Sequence, residues 1–157
     1  MAQRTFQLTR TSCAWDRKFT EEWVTCRIAA FLRLGQQLAS KICQALSIHT
    51  TIEDEIFYPA FLQAAGDKDI HHEAVVEHDG EKMLIAQIEE MAAKDDYFDA
   101  KVSALSEMIK HNLKEEERPG GMIAEAKKSA MDLRALDEEL LSRKRELESQ
   151  SNASRET

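Results

Sequence analysis

Residues 36–64 read QQLASKICQALSIHTTIEDEIFYPAFLQA, a stretch without glycine and with a single proline, Pro59, near its end. Leu38, Ile42, Ala45, His49, Ile52 and Ile56 recur at steps of three and four, which is the stripe of an amphipathic helix. Working outward, Gly35 separates this helix from an earlier one over residues 16–34. The run Ala64-Ala65-Gly66-Asp67 stops it, and Asp67 or Asp69 supplies a cap for a third helix reaching Ala93. Lys94-Asp95-Asp96 breaks the pattern, a fourth helix spans Tyr97 to Arg118, and Pro119-Gly120-Gly121 is the strongest stop in the chain. Connections this short make neighbouring helices antiparallel. The fold expected is all-α: an up-down-up-down four-helix bundle over residues 1–121, with an additional C-terminal helix over 122–148 packed on it. The last residues, SQSNASRET over 149–157, have no apolar periodicity and read as a disordered tail.

The bulk properties agree with this plan. A chain of 157 residues buries an ordinary single core without disulfide or zinc staples. Lys and Arg number 21 against 29 Asp and Glu, a net charge of −8 that argues against a nucleic-acid or anionic-membrane partner. No apolar run approaches the roughly 18 residues of a membrane span, and the first residues contain no signal-like apolar core. The three cysteines, 13, 26 and 43, form neither a CxxC pair nor an even set, so a reduced, cytoplasmic setting is the default.

Polar groups interrupt the apolar stripes at one level. His49 and Glu53 share a face of the second helix, His78 and Glu81 lie in the stripe of the third, and Asn112 and Glu116 in that of the fourth. Buried imidazoles and carboxylates are costly unless paired or metal-bound. His78 stands 17 residues before Asp95 and Asn112 stands 17 after it; Glu53 stands 13 before Gly66 and His78 stands 12 after it. At 1.5 Å per residue in antiparallel helices these groups are level, which places a polar site inside the bundle. Imidazole nitrogen with carboxylate oxygen suits iron, zinc or manganese, and the scattered cysteines exclude a thiolate site. No nucleophile triad, phosphate-binding loop or nucleotide fingerprint occurs.

The runs His49-Thr-Thr-Ile-Glu53-Asp-Glu-Ile-Phe-Tyr-Pro59, Glu73-Ala-Val-Val-Glu77-His78 and Lys110-His111-Asn-Leu-Lys-Glu-Glu-Glu117 resemble bacterial hemerythrin-like HHE cation-binding domains. The resemblance covers residues 36–148. It implies a four-helix bundle around a non-haem di-iron site used for oxygen binding, oxygen or redox sensing, or iron handling. By motif match it carries His49, Glu53 and His78 over as metal ligands. Helical position adds Glu116, and His111 is a further candidate through a His-x3-Glu step to Glu115. The cofactor implied is iron, as a pair or a single ion, and the exogenous ligand is dioxygen, another diatomic or peroxide.

Two departures from the family pattern stand out. No histidine occurs before residue 49, where a first-helix ligand is usual, and the His-His pair of close relatives is His111-Asn112 here. Asp16 or Glu22 on the first helix and Glu81 on the third are carboxylates able to compensate in part. The alternative reading is a helical scaffold or interaction module that has kept the bundle and lost the metal.

Overall fold

The computed structural model describes residues 32–153 of the chain. Helix α1 (Leu32–Ile52) continues through a π-helical segment, Glu53–Phe57, into α2 (Tyr58–Ala65). Helices α3 (Lys68–Glu89), α4 (Phe98–Glu117), α5 (Met122–Lys128) and α6 (Leu133–Ala153) follow, and no strand occurs among the described residues. The expected first helix lies outside the described residues except at its last three positions. Those belong to α1, which passes through Gly35 without a break.

The expected stops act through identifiable groups. Gly66 closes α2 in the left-handed region (φ 71), and its N–H returns to Leu62 O. Asp67 caps α3, its carboxylate accepting from the Asp69 and Ile70 N–H groups at 3.2 Å each. At the end of α4 the chain turns through Gly120 (φ 83) and Gly121. A β-carbon on Gly121 would lie 2.3 Å from Glu115 O and 2.6 Å from Glu116 O, so only glycine permits this close return.

The main rods are antiparallel. Gln36 donates to Met91 O and accepts from Ala93 N at one end of α1 and α3, while Glu53 meets His78 nearer the other. Between α3 and α4, Asn112 bonds Glu81. The core divides into two apolar clusters. One gathers Leu46, Ile85, Phe98, Leu105 and Ile109; the other gathers Tyr58, Phe61, Ala74, Met122 and Ala126. The buried Glu53, His78, Glu81 and Asn112 form a polar layer on the same rods.

Four expectations are corrected. The third helix ends at Glu89 instead of Ala93, and α4 starts at Phe98 because Tyr97 is left-handed (φ 73). The single helix expected over 122–148 is two. Ser129 Oγ bonds Ala126 O at 2.7 Å to end α5, and Asp132 caps α6 by accepting from Arg134 N and Ala135 N at 3.1 Å each. Finally, α6 runs to Ala153, so residues 149–153 of the expected tail are helical. That end is held by packing on α1, where Gln44 bonds Ser151, and nearer its middle Arg143 pairs with Glu55 through two nitrogens at 2.8 and 3.2 Å. Leu136 is buried, and Leu140 and Leu147 are half-buried.

Candidate metal centre

The π segment determines what faces the bundle interior. Tyr58 N–H reaches back five residues to Glu53 O, which adds one residue to the turn. An unbroken helix would carry the inward stripe from His49 through Ile52 and Ile56. Instead Glu53, Tyr58 and Phe61 are buried, and Ile52 and Ile56 are only half-buried. The extra residue thus brings the Tyr58 phenol to the same layer as Glu53.

Glu53, His78 and Glu116 each offer one ligand atom, and these atoms lie within 4.8 Å of one another. Glu53 comes from the π segment, His78 from α3 and Glu116 from α4. Glu53 Oε2 sits between two imidazoles, 3.4 Å from His49 Nε2 and 3.3 Å from His78 Nε2. His49 is partly exposed, at 18% of its side chain, whereas His78 is at 4%. The His49 and His78 ring centroids are 6.3 Å apart.

His78 is held at both nitrogens. Its Nδ1 donates to Asp54 Oδ1 at 3.2 Å, and Asp54 in turn pairs with Lys82. Its Nε2 lies 2.9 Å from the Tyr58 hydroxyl. A carboxylate on the far nitrogen favours the Nδ1–H tautomer, whose Nε2 accepts from the Tyr58 O–H or binds a cation in its place; such carboxylate partners are common behind metal-bound histidines. Burial alone lowers the His78 pKa, but the hydrogen bond and charge of Glu53, with Glu81 and Asp54, outweigh it and raise the value above 6.5. The Tyr58 phenol is raised far above its usual range by burial first, then by Glu53, Glu116, Asp54 and Glu81, so it stays a proton donor. The two shifts share one contribution besides burial: carboxylates concentrated in this layer hold protons and attract positive charge. A cation in that layer satisfies the same field without a proton.

Of the residues expected from sequence, His49, Glu53, His78 and Glu116 come together. His111 does not. Its side chain is 62% exposed and its Nε2 faces Glu77 Oε1 at 3.6 Å, because the inward position of α4 is taken by Asn112 one residue on. Asn112 Nδ2 donates to Glu81 Oε1 at 2.5 Å, both groups buried. Asp16 and Glu22 lie outside the described residues. Sequence reasoning missed Asp54 and Tyr58. Asp54 reads as one more acid in a solvated run, and Tyr58 turns inward only through the π segment.

The family model that matches the chain is the hemerythrin HHE cation binding domain, over residues 7–119. No curated protein and no solved structure gives a significant match.

Proposed function

Because this chain belongs to the hemerythrin HHE cation-binding domain family, we propose that its bundle binds iron and uses it to bind or sense oxygen or a related small oxidant. The observation that carries this reading is the cluster of buried Glu53 and His78 with half-buried Glu116, with His49 beside it and Asp54 behind it. The donor set fits such an ion. It combines neutral imidazole nitrogen with anionic carboxylate oxygen, the mixture that ferrous and ferric iron accept. Glu53, His78 and Glu116 would hold the metal, His49 would complete its shell, and Asp54 would orient His78. When bound, iron supplies an exchangeable coordination position and a one-electron redox couple for dioxygen, another diatomic or peroxide. The chain's own part is positional. Tyr58 keeps a phenolic O–H directed at the His78 edge of the site, and the apolar clusters around Leu46 and Phe61 limit the entry of water.

Anaerobic loading with ferrous iron tests the reading. The metal should raise the thermal midpoint of the wild-type protein, since a ligand bound to the native state alone stabilises it by mass action. His49→Ala and His78→Ala should reduce bound metal and diminish that rise. A folded protein that takes up no metal, with a midpoint indifferent to iron, would return the chain to the scaffold reading.

A further inference from the structure

The polar layer has two levels, about one helical turn or 5 Å apart. Glu53, His78 and Glu116 make the lower one. One turn earlier on α1 and α4, and one turn later on the antiparallel α3, stand His49, Asn112 and Glu81. The levels agree with the observed contacts, since Asn112 bonds Glu81 while Glu53 bonds His78. A pair of cations needs donors at both levels. The lower level offers an imidazole and two carboxylates. The upper one is different: the Asn112 amide turns its N–H into the Glu81 carboxylate, with the two residues 9% and 3% exposed. An amide nitrogen has no lone pair for a metal, so the α4 position of this level carries a group that cannot ligate through nitrogen and that holds one Glu81 oxygen, Oε1, in a hydrogen bond. Among the described residues the other donor of that level is His49, and it leans to Glu53 at 3.4 Å, toward the lower ion whose shell it would complete. Residues 1–31 contain no histidine to replace what Asn112 lacks.

We propose that this chain holds one cation, among Glu53, His78 and Glu116, and that the hydrogen-bonded Glu81–Asn112 pair stands where a second would sit. The proposal rests on the metal-binding reading above and departs from the two-metal plan that the family resemblance implies. A single change at Asn112 reopens the upper level. Asn112→His sets an imidazole beside the Glu81 carboxylate, a nitrogen and oxygen donor pair of its own for that level. The nearly isosteric Asn112→Asp places two carboxylates at hydrogen-bond distance, which a cation relieves.

The test is an anaerobic titration of the full chain with Mn(II), read by metal content after desalting and by electron paramagnetic resonance. Wild type should retain one Mn(II) with the sharp six-line spectrum of an isolated ion. Asn112→His or Asn112→Asp should retain close to two, with lines broadened by the neighbouring ion. Two equivalents in the wild type, magnetically coupled, would overturn the one-cation assignment while leaving the metal-binding function standing. Folded variants that both stop at one equivalent would overturn the role given to Asn112. No retained metal in any form, for Mn(II) and Fe(II) alike, would remove the metal-binding reading itself and this inference with it.

Discussion

Replacing Asp54 by Asn separates the orienting role of this carboxylate from its structural one. The substitution keeps an oxygen acceptor for His78 Nδ1–H and a side chain of the same shape, so the imidazole stays hydrogen-bonded in the metal-free protein. What disappears is the negative charge that makes Nε2 a better donor. Loss of such a partner behind a metal-bound histidine typically costs about 10–100-fold in affinity. The Nδ1–Oδ1 distance of 3.2 Å exceeds that of the strongest charge-assisted bonds, and Asp54 is shared with Lys82. Both facts place the expected loss at the lower end, about tenfold or ~1.4 kcal/mol. Competition between the protein and a colorimetric chelator for Fe(II), run anaerobically, measures it. Asp79→Asn serves as the control, because Asp79 also neighbours Lys82, at 3.7 Å, but is exposed on the outer face of α3. A loss below twofold in Asp54→Asn, or an equal loss in the control, would refute the argument. So would a large fall in the melting temperature of the metal-free variant.

Three further outcomes follow from the packing and the charges. Phe61 is fully buried, so Phe61→Ala should destabilise the metal-free protein by about 3–5 kcal/mol, read as a shift in the denaturant midpoint at unchanged slope. The Cys43 thiol is pushed up to about 12 by burial and by Glu89, so its thiolate is nearly absent at pH 8; peptide mapping after alkylation should find Cys43 unmodified until the protein unfolds. The Glu55 carboxyl is held below its ordinary 4.5 by its hydrogen bond to Arg143, so its stabilising effect is present above pH 4.5 and is lost as pH falls through the lowered value. Glu55→Gln should therefore loosen α6 at neutral pH, seen as faster amide exchange over residues 133–153, and the difference from wild type should close in acid.

Much of the fold was legible because its punctuation is local. Gly66 with Asp67, and Pro119 with the two glycines, act through backbone geometry and capping that depend on a few adjacent residues. Helix rise put the α4 polar groups within one turn of His78, but the expected level partner, Asn112, meets Glu81 one turn away and Glu116 stands with His78 instead. The π segment was not legible. Its extra residue costs local hydrogen-bond geometry and is repaid by burying Tyr58 and Phe61, a tertiary gain with no signature in the order of residues. The break at Ser129–Asp132 was not legible, because the helix-favouring composition on both sides outweighs the one capping residue, Asp132. The helicity of residues 149–153 depends on docking against α1, which no local reading supplies. His111 illustrates a finer limit: one residue of rotation, about 100°, separates an exposed partner of Glu77 from an inward ligand.

The most direct measurement is anomalous diffraction at the iron edge from crystals of the protein loaded with ferrous iron. One peak per chain is expected, bonded to His78 Nε2 and to carboxylate oxygens of Glu53 and Glu116. No peak in that layer, or a peak seated instead against His111 and Glu77 on the surface, would contradict it.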